Sequence, residues 1–152
     1  MIKKDPLSPE QEFAAEPTRN VWVQANAGTG KTSVLIERLL RILFRDNSPS
    51  SGILCLTYTN AAAGEMRGRI LGALRNWAMA NDDELRELLV GVSKNTAPTD
   101  ADLAHARAVF FRYIDNPDLL KIKTIHGFCE EILHRFPTEA GISPSWSLIS
   151  DA

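Results

Sequence analysis

Apolar positions along this chain follow two different periods, and the changes between them divide it into elements. Residues Leu7 to Ala15 read as a short helix capped by Ser8, with Pro9 in its first turn and Glu10, Gln11 and Glu12 just inside. Val21 to Gln24 is a short strand candidate. Beyond a small-residue loop, Val34, Leu35, Ile36, Leu39, Leu40, Leu43 and Phe44 recur at helical spacing, and Arg38, Arg41 and Arg45 are expected on the opposite face. The turn-rich stretch Asp46 to Gly52 ends that helix. Ile53 to Leu56 is nearly all apolar, which predicts a parallel strand covered on both faces, so that strand, helix and strand make one crossover unit.

Thr59 or Asn60 is placed to cap a following Ala-rich helix from about Ala61 to Trp77, carrying Met66, Ile70, Leu71 and Leu74, with Arg67, Arg69 and Arg75 as its cations. Two further helices, Asp83 to Val90 and Asp100 to Ile114, read as a helical pair inserted at about residues 78–116. Leu120 to Ile125 returns to strand-like alternation, and His126 to Phe136 is helical until Pro137 stops it. The tail, with Gly141, Pro144 and Ser145, is irregular. The pattern predicts an α/β fold.

Composition adds limits. With 152 residues, 44% of them apolar, the chain suits one ordinary domain with a sizeable core. A net charge of −2 gives no basic footprint, so any argument for a nucleic-acid partner must come from motifs. Cys55 lies in an apolar run and Cys129 in a helical pattern, so both are expected as buried free thiols, in keeping with a reducing cytoplasm. No apolar run approaches the roughly 18 residues of a membrane span.

Candidate chemistry centres on Ala25-Asn26-Ala27-Gly28-Thr29-Gly30-Lys31-Thr32. Small residues let successive backbone N–H groups converge on one concavity that surrounds a phosphate chain. Lys31 adds a positive charge, Thr32 offers a hydroxyl to Mg²⁺, and the helix starting here aims its positive dipole end at the same anion. Ala25 stands where the usual pattern has Gly. The plainer reading is a chance Gly-rich turn, which a strand before the loop and a helix after it disfavour. Thr57, Thr59 and Asn60 fall at the end of the second strand candidate, where ligands collect in open α/β sheets; helix capping is the plainer role for each. His126, Cys129 and His134 lack a fourth ligand and fit no common zinc spacing.

Gln11, the phosphate loop, the block Thr57-Tyr58-Thr59-Asn60-Ala61-Ala62-Ala63-Gly64-Glu65-Met66 and the block Thr124-Ile125-His126-Gly127-Phe128 together resemble superfamily 1 helicases of the UvrD and RecB group. The long helical stretch before Lys121 resembles, within that group, the AddA family of helicase-nuclease subunits in bacterial double-strand-break repair. The likeness spans residues 7 to 149. It implies a P-loop NTPase, RecA-like parallel sheet. It implies ATP and Mg²⁺ as cofactors, with Gln11 reading the adenine edge, Lys31 bridging the β- and γ-phosphates and Thr32 holding Mg²⁺. It also implies that Thr57, Thr59, Asn60, Thr124, His126 and Phe128 contact single-stranded DNA through phosphate oxygens and stacking. Phe128 reads equally as a core residue. Ala61 stands where the family often has Lys, which removes one cationic DNA contact. Implied partners are single-stranded DNA or DNA ends and a second, AddB-like subunit.

An NTPase of this type also needs an apolar strand ending in Asp-Glu to hold Mg²⁺ and orient water. Trp146 to Asp151 is the nearest approximation; it is short and polar, and Glu does not follow Asp151. The expectation is therefore that residues 1–152 form the N-terminal portion of a first RecA-like motor domain of a longer helicase, incomplete and inactive alone. Two other classes fit the loop by itself: a small P-loop kinase, for which no lid or acceptor site is evident, and a non-catalytic nucleotide-binding or interaction module.

Overall fold

Four helices of the described residues begin at Ser8, Thr59, Thr99 or Thr124, whose hydroxyl accepts from a first-turn N–H. The computed structural model describes residues 7–26, 28–45, 52–93, 97–117 and 120–148. Helix α1, Pro9–Ala15, has Ser8 as its cap, and Gln11 completes a capping box. Helix α2 is Lys31–Arg45, strand β1 is Ile53–Thr57 and helix α3 is Asn60–Met79, capped by Thr59 rather than Asn60. Helices α4, Asp82–Ser93, and α5, Asp100–Asp115, follow, the latter opened by a capping box between Thr99 and Asp102. Strand β2, Leu120–Thr124, runs straight into helix α6, Ile125–Arg135, whose C-cap Phe136 directly precedes Pro137.

β1 and β2 pair in parallel, with Ile53 opposite Leu120, Cys55 opposite Ile122 and Thr57 opposite Thr124. Helices α3, α4 and α5 make the crossover between them. Cys55, Leu120 and Ile122 point into a core shared with Leu39, Leu40 and Phe44 of α2, Ile70, Leu74 and Trp77 of α3, Leu85 and Leu89 of α4, and Leu103, Ala106 and Val109 of α5. Phe44 packs edge-on against Trp77, and its carbonyl oxygen lies 2.7 Å from His105 Nε2, which ties the end of α2 to α5. Burial pushes the Cys55 thiol up to about 11, so it behaves as a small apolar residue.

Four expectations change. Val21 to Gln24 forms no strand: the sheet of the described residues has the order β1–β2, and a segment without a hydrogen-bonded neighbour cannot join it. Trp22 is 91% exposed there, and the expected strand–α2–β1 crossover is replaced by β1–α3–α4–α5–β2. β1 is covered on one face, since Leu54 and Leu56 point away from the apolar clusters and are exposed. Arg41 does not sit on a solvated face of α2; it is among the most buried side chains. Cys129 is exposed, because α6 buries none of its residues. The turn cluster at residues 46–51, together with Ala27 and Asp151, lies outside the described residues.

Candidate functional site

The phosphate-loop sequence turns tightly through two left-handed glycines, Gly28 at φ 81° and Gly30 at φ 83°, conformations that side chains with a Cβ rarely adopt. Thr29 Oγ1 donates to the Asn26 carbonyl at 2.8 Å and braces the turn from within. Lys31, the first residue of α2, folds its ammonium back onto the carbonyl oxygens of Ala25 and Asn26, which fixes Nζ over the loop. Thr32 is exposed one residue further on. The first turn of α2 contains no acidic residue, so nothing in that turn neutralises the positive end of the helix. An anion suits this place: a helix dipole and the Lys31 ammonium lie together at the start of α2.

Gln11 approaches the loop from α1. Its Oε1 accepts from the Ser8 amide at 3.0 Å and its Nε2 donates to the Thr29 carbonyl at 3.4 Å. A carboxamide has two N–H donors and two acceptor lone pairs, so one of each remains for a partner. A cleft of about 470 Å³ opens beside Lys31 and is lined by Val21, Val23, Leu35 and Arg38 among others.

The other candidate residues gather at the far ends of the two strands. Thr57 and Thr124 are register partners. Thr57 Oγ1 lies 3.1 Å from the Thr59 carbonyl and 3.4 Å from that of Lys123. Thr59 Oγ1 accepts from the Ala62 amide at 3.1 Å and Thr124 Oγ1 from the Gly127 amide at 3.1 Å, so each threonine caps a helix. The N-termini of α3 and α6 therefore leave adjacent strands side by side. Asn60 and His126 are exposed, and Phe128 is half-buried and joins neither apolar cluster. Because α2 packs on α3, the loop and the threonine pair belong to one packed unit.

Residues 7–152 match the family model for the UvrD/REP helicase N-terminal domain. The chain belongs to that family. Among relatives, the ATP-dependent helicase/nuclease AddA protein of Alkaliphilus metalliredigens is 35% identical over 83% of this chain. The proteins of the same name from Alkaliphilus oremlandii and Lactobacillus delbrueckii subsp. bulgaricus are 32% and 34% identical over 91% and 95% of it. The chain spans about a tenth of the length of these relatives, at 9% to 10% of each.

In this UvrD/REP family chain the pattern of apolar positions missed the groups that hold α1 against α2. Arg41 makes a two-pronged ion pair with Glu12, at 2.9 Å for each prong, and reaches Glu37 at 3.3 Å. Desolvation works against its charge, but the hydrogen bonds and charges of Glu12 and Glu37 outweigh it and raise its pKa above the ordinary arginine value. Arg38 donates to the carbonyls of Ala14 at 3.1 Å and Glu16 at 2.6 Å, and also to those of Pro17 and Arg19. The available signal was Glu37 and Arg41 at i and i+4, the spacing of an ion pair along one helix face, with apolar Ile36 and Leu40 next to them in sequence.

Proposed function

We propose that this chain is the N-terminal portion of the first RecA-like, P-loop motor domain of an ATP-dependent DNA helicase, with α4 and α5 as an inserted helical pair. The parent is a helicase-nuclease that processes broken DNA ends in the cytoplasm together with a second subunit. The observation that carries this reading is the loop itself: Lys31 folded back onto the Ala25 and Asn26 carbonyls beside two left-handed glycines, at a helix start without acidic residues, and Gln11 bonded to Thr29. In this reading Ala25, Asn26, Ala27, Gly28, Thr29 and Gly30 surround the triphosphate, Lys31 neutralises it, and Gln11 takes the adenine edge. Thr32 would hold Mg²⁺, which is satisfied by one or two protein ligands when phosphates supply others. That ion would lower the charge repulsion around the γ-phosphate.

Thr57, Thr59, Asn60, Thr124, His126 and Phe128 supply the strand-binding side. Hydroxyls, an amide and two helix N-termini bind phosphate oxygens without reading sequence, and an exposed imidazole and a half-buried phenyl ring offer stacking surfaces. This suits a motor that moves along any sequence.

The test is calorimetric titration of the 152-residue chain with ATP and Mg²⁺. Binding that disappears in Lys31→Ala is expected, with no turnover by the chain alone. DNA-stimulated hydrolysis that depends on Lys31 would refute the view that this is a partial motor. For the strand-binding side, Thr59→Ala and His126→Ala should each weaken binding of a single-stranded oligonucleotide by roughly fivefold or more, the stacking loss alone amounting to about 1–3 kcal/mol.

A further inference from the structure

The ion pair between Arg41 and Glu12 acts on the same helix that carries Gln11, one residue away from it. α1 is seven residues long and buries only Ala14 and Ala15. So short a helix has no packing of its own that sets its rotation or its slide along α2. Polar contacts set both. Arg38 grips the carbonyls at the C-terminal end of α1, and Arg41 presents its planar fork to both oxygens of Glu12, one residue after Gln11. Glu37 fixes the guanidinium from the other side at 3.3 Å. Arg38 and Arg41 belong to the helix whose first residue is Lys31. One rigid element therefore carries the phosphate-binding ammonium at its start and the clamp on α1 three turns later.

We propose that the Arg41–Glu12 pair is a positioning device for base recognition: it fixes where the Gln11 carboxamide stands relative to Lys31, and so sets selectivity for the adenine ring without touching it. This rests on the reading of the loop as an ATP site. A single-pronged or neutral contact in place of the fork would let α1 rotate, and the two hydrogen bonds from Gln11 to the base would no longer form together.

The test compares ATP with inorganic tripolyphosphate, which has the phosphates and no base, by calorimetry with Mg²⁺ on the 152-residue chain and three variants. Gln11→Ala removes the reader, Glu12→Gln removes the charge and one acceptor prong, and Arg41→Met removes the fork while keeping volume. Glu12 has a half-exposed side chain, so Glu12→Gln leaves the core intact and carries the test even if Arg41→Met fails to fold. A two-bond contact with adenine discriminates by roughly tenfold, so Glu12→Gln should weaken ATP about that much and leave tripolyphosphate within about twofold. Combined with Gln11→Ala it should add nothing further. If Gln11→Ala removes the preference for ATP and Glu12→Gln leaves it whole, the positioning role is wrong and the ATP reading stands. Equal weakening of both ligands by Glu12→Gln would likewise overturn it in favour of a general packing role. An unmodified chain with no preference for ATP over tripolyphosphate would overturn both.

Discussion

The two apolar clusters of this molecule are held in opposite ways. The larger one, spanning α2 to α5 and both strands, contains side chains with no measurable exposure, among them Ile70, Leu74, Leu85 and Leu89. The smaller one, beneath the phosphate loop, consists of Ala14, Ala15 and Val34, with Leu7 and Val21 packed against it. Full burial of a valine is worth about 1.5–3 kcal/mol. Ordering a seven-residue backbone costs about 1–2 kcal/mol per residue, so this small cluster cannot hold α1 without Arg38, Arg41 and their partners. The lesson is that the end carrying the glycine loop depends on directional polar contacts, which set geometry, while the rest depends on burial, which sets stability.

Leu74→Ala should separate the two most strongly. It leaves a cavity in the large cluster and is expected to lower global stability by about 2–5 kcal/mol, seen as a fall in the urea midpoint at unchanged slope. A much smaller fall would mean that the large cluster collapses around the gap and is looser than its burial indicates. Next in size is Arg38→Ala, expected to cost about 1–3 kcal/mol through lost charge-assisted bonds to four carbonyls. Its effect should be local: amides of residues 9–19 exchange faster, while those of α3 and α5 keep their protection. Uniform acceleration would erase the distinction between the two regions.

The smallest effect is an acid limb shared by the helices outside the loop. The Arg107 hydrogen bond and charge hold the Asp82 carboxyl below its usual range, and the Thr99 amide and hydroxyl do the same for Asp102. A carboxyl with a lowered folded pKa contributes stability that is complete above its unfolded value, about 4, and is lost as pH falls through the lower folded one. Melting temperature should therefore decline below about pH 4, and Asp102→Asn should flatten that decline. An unchanged slope in Asp102→Asn would show that the α5 capping box adds nothing to the acid response.

Much of this was legible in the chain. Ser8 and Thr59 announce helix starts by chemistry that acts within three residues, and the apolar repeat of α2 needs no tertiary information. What failed depended on partners distant in sequence. Val21 to Gln24 has strand-like residues, but a strand exists only beside another. Cys129 sits in a helical pattern, but α6 buries none of its residues. Arg41 was assigned to solvent by its charge, and its true neighbour, Glu12, lies 29 residues earlier. At the site, glycine positions and Lys31 follow from local pattern. The use of both ends of the Gln11 carboxamide, on Ser8 and on Thr29, required the fold.

The pairing of Thr57 with Thr124 has a consequence for mutational tolerance. Thr57 and Thr124 end a backbone ladder, so the separation of these two residues is set by the spacing of adjacent strands, about 4.8 Å, and not by any side chain between them. Substitutions that keep the register along β1 and β2 leave that separation untouched. A slip of one residue would bring Leu56 opposite Thr124 and turn the Cys55 side of β1 outward, so intermediate spacings are not available. Drift in sequence around these strands thus changes the chemistry offered at the two strand ends far more readily than it changes the distance between them.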